Sequence, residues 1–391
     1  MKKSLVVLVA VLVVCAGYFV FTTMDSKTPI AHAAGEVYEG TLYISSMGGF
    51  FVKADVKIDP TKAEPIQLTA DLTRQFLMEN QNIAISKKYY PTHDPRIDHK
   101  RKVMFWSTYF VDDRNPAKKG VHYGKIDLKT GKVLFDGMLP YEPRNKAPIQ
   151  YCASGQTKDK YLIVMMGFES FIDIIDKDTM KHEKRVFLDT IPEFSEKKYL
   201  WTHGTNSPDM KEMAIVTTLS DEGGKFPRGE ETKQRIFILD MNSLLDGKAK
   251  VLRDATITSD PKKSAFFRFN YTNDQKYILL SNRDRSNVLD AKTLKEVAVD
   301  MHPAGWENHD VFPTLDGKYA IQSFRVPVEF AAGEGTKVID GQLQLYDVEA
   351  KKKVGKPTSV CKPCHMSTMA MPWAEKAVPA VTCGIDGMWK K

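Results

Sequence analysis

The sequence has few residues of the kinds that bind metals or attack substrates. Its 391 residues include five cysteines and nine histidines. It lacks the motifs of serine hydrolases, zinc proteases, P-loop proteins and Rossmann dinucleotide-binding proteins. Low-complexity tracts are missing too, and 42% hydrophobic with 27% charged residues describe an ordinary folded chain. The sequence therefore assigns no catalytic residue by motif.

The charge pattern is equally unspecialised. Lysine and arginine number 56 against 49 aspartates and glutamates, which gives a formal net charge of +7. The lysines are scattered through turns between apolar runs, and no basic stripe with interleaved aromatic residues is present. We therefore expect no nucleic-acid partner.

The N-terminus is predicted to be an export signal over residues 1–33. Lys2 and Lys3 precede an apolar run that extends to about Thr22, and "AHA" at 31–33 has the small-x-small form of a cleavage site. The apolar run is nearly long enough to span a bilayer, so an uncleaved signal anchor is the alternative. We expect an extracytoplasmic chain, periplasmic or equivalent, that touches a membrane only through such an anchor.

One sequence element recurs along the mature region, 34–391. It is a short apolar run that ends in aspartate, a polar turn with lysine, and a second apolar run, as in "GKIDLKTGKVLFD". Such elements predict antiparallel hairpins whose turn aspartates bind their own backbone amides. The recurring aspartates are Asp59, Asp127, Asp176, Asp240, Asp290 and Asp347.

A second element precedes the later copies: a short segment, a turn with Asp and Lys, and a strand rich in aromatic and branched residues. Together the two elements supply four strands per unit of about 50 to 60 residues, which indicates a β-propeller blade. We predict an all-β fold, a single propeller of six or seven four-stranded blades. The C-terminal segment is expected to supply half a blade and the N-terminal segment the rest, which closes the ring. The competing interpretation is a pair of β-sandwiches.

The units resemble the YVTN-type propeller family. "HDVFPTLDGKYAIQSF" and "YGKIDLKTGKVL" carry the resemblance, which covers nearly the whole mature chain. It implies architecture and not chemistry. Propellers of similar size serve as large subunits of amine dehydrogenases and as the β subunit of hydrazine synthase, so the resemblance is compatible with a subunit of a periplasmic redox complex.

The motif that indicates chemistry is "CKPCH" near the C-terminus. Cys361 and Cys364 have the spacing that forms thioether bonds to the two haem vinyl groups, and His365 is placed to bind the iron. We predict one covalent haem c, within an insertion at about 357–376. That stretch is too short for a cytochrome domain, so the propeller or a partner must supply the rest of the pocket.

Two alternatives remain for these cysteines. Cys361 or Cys364 could form a disulfide, with each other or with Cys383, and zinc is a third option that lacks a second close ligand pair. If haem occupies the motif, Cys152 and Cys383 are left over, either as a disulfide or as separate thiols.

Other residues are weaker candidates. Met369 and Met371 follow the motif closely and are expected to line the haem pocket. For the sixth iron position, the options are one of these methionines, a distal histidine from a blade loop, or an open position. His93, His203 and His309 open three repeat units and could converge at the central channel as a metal or substrate site, or they could be turn residues.

The sequence thus predicts an exported propeller c-type cytochrome that transfers electrons or forms part of a periplasmic oxidoreductase, with redox subunits or cytochromes as partners. Whether the chain itself is an enzyme stays open. The alternative is a haem-free propeller scaffold in a multihaem enzyme such as hydrazine synthase or an amine dehydrogenase. A ligand-binding or adhesion propeller at the cell surface is the third possibility.

Overall fold

The computed structural model describes most of residues 36–390. The described residues are 36–46, 50–70, 76–77, 94–108, 111–112, 115–144, 151–165, 170–195, 199–220, 233–329, 337–360, 368–370, 377–379 and 382–390. The chain divides into two units, Met1–Glu36 and Val37–Lys391. Of the first unit only Glu36 is described, and the propeller is the second. No helix among the described residues is long and apolar enough to cross a membrane.

Most of the described strands form six antiparallel four-stranded blades, which we call blades 1 to 6. Blade 1 consists of β27 (Thr382–Trp389), β1 (Tyr38–Ser46), β2 (Phe50–Ile58) and β3 (Ile66–Ala70). Blade 2 consists of β5 (Arg96–Asp98), β6 (Val103–Ser107), β7 (Gly120–Asp127) and β8 (Val133–Pro140). Blade 3 consists of β9 (Tyr151–Gln156), β10 (Lys160–Met165), β11 (Phe171–Asp176) and β12 (His182–Phe187).

The remaining blades follow the same plan. Blade 4 consists of β13 (Tyr199–Asn206), β14 (Glu212–Ser220), β15 (Lys233–Asp240) and β16 (Val251–Thr256). Blade 5 consists of β17 (Phe269–Tyr271), β18 (Tyr277–Asn282), β19 (Arg285–Asp290) and β20 (Glu296–Met301). Blade 6 consists of β21 (Glu307–Pro313), β22 (Tyr319–Glu329), β23 (Lys337–Asp347) and β24 (Lys352–Ser359).

The other elements are short. Strand β4 (Phe76–Leu77) pairs with β2, and β25 (Thr368–Ala370) forms a two-stranded hairpin with β26 (Ala377–Pro379). The described helices are a 3-10 turn (Pro116–Lys118), α1 (Pro192–Ser195) and α2 (Met241–Leu245).

The first strands of the blades contact one another in a closed ring, in the order β27, β5, β9, β13, β17, β21 and back to β27. Strand β27 pairs with β1 from Gly40 opposite Trp389 to Ile44 opposite Ile385. The predicted joining of the two chain ends is confirmed. The prediction of half a blade was wrong in detail, because the C-terminal segment contributes one strand to blade 1 and the N-terminal region contributes three.

The blade number is six. The stretch between Asp59 and Asp127 holds β3 and the short β4 of blade 1 and the first three strands of blade 2. The described part of 356–378 adds only the end of β24, strand β25 and most of β26. Among the described residues, neither stretch contains a seventh four-stranded sheet.

Apolar side chains of the middle strands pack between neighbouring blades. In blade 3, Leu162 and Val164 lie in one core cluster with Met213 and Ile215 of blade 4. Strand β10 is buried over nearly its whole length, because both of its faces are covered. The fourth strands, such as β16, instead alternate between partly buried and exposed positions. This packing explains why second and third strands read as apolar runs in the sequence.

All six recurring aspartates cap the turn after the third strand of their blade, as predicted. Each side chain accepts a backbone N–H two or three residues later, for example Asp127 from Thr130 at 2.7 Å and Asp347 from Ala350 at 2.7 Å. Side-chain and backbone hydrogen bonds from Thr130 lower the pKa of Asp127. The aspartates are therefore explained by turn geometry.

The alternation of the strands sorts the connections onto two faces. Turns that join first to second strands, and third to fourth strands, lie on one face, which we call the turn face. Connections from second to third strands, and from one blade to the next, lie on the opposite connection face. Because β24 ends and β27 begins on the connection face, the segment that holds the haem motif starts and finishes there.

Candidate functional site

The predicted haem residues fall mostly outside the described residues. Cys361, Cys364, His365 and Met371 are not described, and Met369 is described only in its backbone, as the central residue of β25 opposite Val378. His93 also lies outside the described residues. The haem assignment accordingly stays a prediction.

The described residues on either side of the motif belong to blade 6 and to the closing strand. Val360 is buried and its N–H binds the Gly341 carbonyl at 2.8 Å. Strand β26 lies against β23 of the same blade. At the other end, the Thr382 carbonyl accepts the Nε–H of Arg325 at 3.1 Å. Blade 6 therefore fixes both ends of the segment.

The centre of the ring holds a buried ion network. Arg268 lies between Asp94 of blade 2 and Asp310 of blade 6, and its Nε donates to Asp310 Oδ2 at 2.8 Å. Asp94 also accepts the hydroxyl hydrogen of Ser154 in blade 3. All four side chains are at most 3% exposed. The network joins blades 2, 3, 5 and 6. Removing one of its charged members would leave a buried charge without its partner, which is strongly destabilising.

Carboxylates also fasten the closing strand to its neighbours. Asp310 Oδ2 accepts the N–H of Ile385 at 2.7 Å, and Asp386 Oδ2 accepts the N–H of Ile97 at 2.8 Å. On the same strand, Gly384 passes so close to Arg268 that a Cβ at this position would lie 2.6 Å from the Arg268 Nε. Only glycine fits this approach without displacing the guanidinium.

His203 and His309 approach the same aromatic ring. The Phe267 ring stacks on His309 with centroids 4.4 Å apart, and it meets His203 edge-on at 6.1 Å. Burial lowers the pKa of His203 to about 3, so its imidazole is neutral at physiological pH. The Nδ1–H of His309 donates to the Cys383 carbonyl at 2.9 Å. Two of the three repeat histidines thus lie in one aromatic cluster, with Phe267 between them.

Cys383 lies on the closing strand beside Arg325. The guanidinium donates to its Sγ at 3.0 Å, and Arg325 also binds Glu307 at 3.0 Å. Burial raises the pKa of the thiol, although Arg325 opposes the shift. The side chain of Cys152 is outside the described residues, so the proposed pairing of these cysteines stays open. Within the described ranges, no cluster of three or more His, Cys, Asp or Glu side chains could hold a metal ion.

A cavity of about 420 Å³ opens at the turn face, where the first strands end. Every blade contributes to its lining, and representative residues from blades 1 to 6 are Trp389, Arg96, Gln156, Asn206, Asn270 and Phe312. Its size is in the range of small-molecule sites. The cavity therefore lies at the face opposite to the one on which β24 ends and β27 begins.

Sequence reasoning singled out the repeat histidines but missed the ion network and the cavity. The sequence did contain a signal for the network: the dipeptide His-Asp occurs at both 93–94 and 309–310. In the structure both of these aspartates bind Arg268. The cavity left no such signal, because each of six separate units contributes at most three residues to its lining.

The closed ring and its blades define this chain as a six-bladed β-propeller. No family model matches it, and no curated protein is similar to it.

Three solved structures illustrate the similarities at the level of structure. The match to hydrazine synthase from Kuenenia stuttgartiensis covers 71% of this chain and 68% of the hydrazine synthase chain, at 15% identity and a TM-score of 0.42. The match to the Pan2 WD40 domain from Neurospora crassa covers 69% of this chain and 66% of that domain, at 10% identity and a TM-score of 0.42. The match to a protein of unknown function from Bacteroides caccae covers 88% of this chain and 99% of that protein, at 11% identity and a TM-score of 0.46. Similarities this distant carry no inference about function.

Proposed function

We propose that this chain is an exported β-propeller that carries one covalent haem c and transfers electrons, alone or as a subunit of an oxidoreductase. Cys361 and Cys364 form the thioether bonds, and His365 binds the iron on one side. The observation that carries the proposal is the Cys-x-x-Cys-His motif in a chain whose first 33 residues resemble an export signal, because haem c is attached outside the cytoplasm.

The described ends of the segment that contains the motif are compatible with a haem that a partner can reach. The segment from Val360 to Thr382 begins and ends on the connection face and is fixed at both ends by blade 6. A haem held by Cys361, Cys364 and His365 would supply a one-electron redox centre within this segment, for exchange with a redox partner. The segment is too short to enclose a haem, so the neighbouring blades and a docked partner complete the apolar surroundings.

A scaffold without haem is the second candidate. The fourth strand of blade 5, β20, exposes Val297, Val299 and Met301 on one face, at 40%, 37% and 57%. Three successive outward apolar residues on an outer strand are more typical of a docking surface than of solvated surface. On this alternative the propeller positions redox subunits, and Cys361 and Cys364 form a disulfide.

Absorption spectroscopy separates the two candidates. The mature chain is produced with and without the haem c maturation system and extracted with acidic acetone. We expect a Soret band that survives extraction only in the protein made with maturation, and its loss in Cys361→Ala/Cys364→Ala. A colourless protein from both preparations would favour the scaffold. Cys383→Ala is the matched control, which keeps the band.

A further inference from the structure

The cavity at the turn face contains a buried cation that has no carboxylate partner. Arg96 is 7% exposed and lines the cavity. Its Nε donates to Ser154 Oγ at 3.3 Å and its Nη2 to the Ser154 carbonyl at 2.6 Å. In the part of the chain that the structure describes, no carboxylate oxygen lies within 4 Å of this guanidinium, and Nη1 binds no protein acceptor. Its counter-charge is indirect: Asp94 and Asp310 share the single cation Arg268, and Ser154 links Asp94 to Arg96. The outward N–H groups of Arg96 therefore stay available to an anion that enters the cavity.

The nearby carboxylates are already engaged. Asp94 and Asp310 both bind Arg268. Asp386, which lines the cavity, accepts backbone N–H groups with both oxygens, from Ile97 at 2.8 Å and from Gly387 at 2.8 Å. Lys177 is paired with Asp98 at 2.9 Å behind the lining. Arg96 is thus the cation of the cavity that remains available to an anion from outside.

The rest of the lining is flat and apolar on one side. Phe312 and Trp389 stack with centroids 5.9 Å apart, and the Trp389 Nε1–H is occupied by the Pro313 carbonyl at 3.0 Å. The Asn270 amide donates to the Val311 carbonyl at 2.9 Å, so it is fixed in place. Aromatic faces favour planar apolar groups, and a guanidinium favours a carboxylate, which it can bind through two parallel hydrogen bonds.

We propose that this cavity is a binding site for a small organic carboxylate with a planar apolar body. The carboxylate binds the free edge of Arg96, and the body lies among Phe312, Trp389 and Leu315. The cavity lies at the face opposite to the one on which β24 ends and β27 begins, so we expect ligand binding there to be independent of haem attachment. It gives the propeller a ligand-responsive face whether or not a haem is bound.

Calorimetric titration and thermal unfolding of the full mature chain test the proposal with three probes. They are naphthoate, its neutral counterpart naphthalenemethanol, and inorganic phosphate. We expect naphthoate to bind and, at a hundredfold excess over its Kd, to raise Tm by about 3 °C. The neutral alcohol should bind at least tenfold more weakly, and phosphate should leave Tm unchanged.

Two variants localise the binding. Leu315, which is 47% exposed, lines the cavity, so Leu315→Trp fills it and should weaken naphthoate at least tenfold without unfolding the protein. Leu134→Trp, at a residue 49% exposed on β8, is the matched control and should bind normally. Arg96→Lys keeps the charge but loses the two-pronged geometry, and should also weaken binding.

The result that overturns the proposal is equally definite. Absence of naphthoate binding, equal binding of naphthoate and naphthalenemethanol, equal stabilisation by phosphate, or unchanged binding in Leu315→Trp would each contradict it. Preparations with and without haem should behave alike, so failure here is distinct from failure of the haem proposal.

Discussion

Asp310 and Ile385 join blade 6 to the closing strand: Asp310 Oδ2 accepts the backbone N–H of Ile385 at 2.7 Å. The same oxygen accepts the Nε–H of Arg268 from blade 5 at 2.8 Å. This single buried oxygen of Asp310 therefore connects blades 5 and 6 to the closing strand β27. Because β27 is the first strand of blade 1 and pairs with β1, loss of this contact weakens the junction of the two chain ends.

Asp310→Asn removes the buried charge and leaves Arg268 with Asp94 alone. We expect the free energy of unfolding to fall by about 3 kcal/mol, the usual loss when one partner of a buried ion pair is removed. Urea denaturation measures it. Glu349→Gln is the control: Glu349 is 60% exposed and pairs with Lys276, so its loss should cost less than about 1 kcal/mol. Equal effects of the two substitutions would contradict the role given to Asp310.

Gly384→Ala tests the close passage of the closing strand past Arg268. The added Cβ would lie 2.6 Å from Nε and 2.7 Å from Cζ of Arg268, so the guanidinium must move off its carboxylates. We expect a loss of about 2 kcal/mol in the free energy of unfolding, within the range for overpacked buried sites. An unchanged urea midpoint would show that the ring centre yields more readily than its contacts indicate.

Stability should fall in mild acid because of two buried histidines. Burial lowers the pKa of His203 to about 3, and burial together with Lys353 lowers that of His302 to about 3. The unfolded chain takes up these protons as pH falls below the ordinary histidine pKa of 6.5, while the folded chain does so only near pH 3. The free energy of unfolding therefore falls as pH drops from 6.5 towards 3, by about 1.4 kcal/mol per pH unit for each histidine.

Urea denaturation over this pH range measures the slope. His203→Gln and His302→Gln should each reduce it by about half of the histidine contribution, and the double variant should remove that contribution. His99→Gln, at an exposed residue, controls for the substitution itself. A slope that is the same in wild type and in the double variant would contradict neutral buried imidazoles.

His122 should behave in the opposite way. Its Nδ1 lies 2.9 Å from Asp136 and its Nε2 lies 3.0 Å from Asp112, so both ring nitrogens donate when the ring is charged. Burial opposes the charge, but hydrogen bonds to Asp136 and Asp112 outweigh burial and raise the pKa of His122. Its contribution to stability is complete below the unfolded pKa of 6.5 and is lost as pH rises through the folded value.

Amide hydrogen exchange at the paired Asp112 and Gly120 reports this contact, since their backbone groups bind each other at 2.6 and 3.1 Å. After correction for the intrinsic rate, we expect protection to fall as pH rises above 6.5. Asp136→Asn removes one carboxylate and should move that fall to lower pH. Protection that is constant across the range would contradict a charged His122.

The fold was predictable because each blade repeats the same local rules. Asp127 and Asp290 cap equivalent turns, and the apolar run of β10 is buried on both faces, so spacing and hydrophobicity alone indicated the propeller. The division of blade 1 between the two chain ends was not predictable in detail. The sequence indicated that the C-terminal segment forms strands, but not that only β27 joins blade 1.

The candidate sites were predictable only where neighbouring residues form them. Cys361, Cys364 and His365 are adjacent in the chain, so the sequence alone suggests their chemistry. Arg96 and Trp389 lie 293 positions apart yet line one cavity, and only ring closure brings them together.

Mass spectrometry of the proteolytic peptide that contains Cys361 and Cys364 tests the central claim most directly. The protein is purified from cells with an active haem c maturation system and digested without reduction. We predict a peptide heavier by one haem, with both cysteines resistant to alkylation. A peptide without that mass, with Cys361 and Cys364 joined in a disulfide or both alkylated as free thiols, would contradict the account.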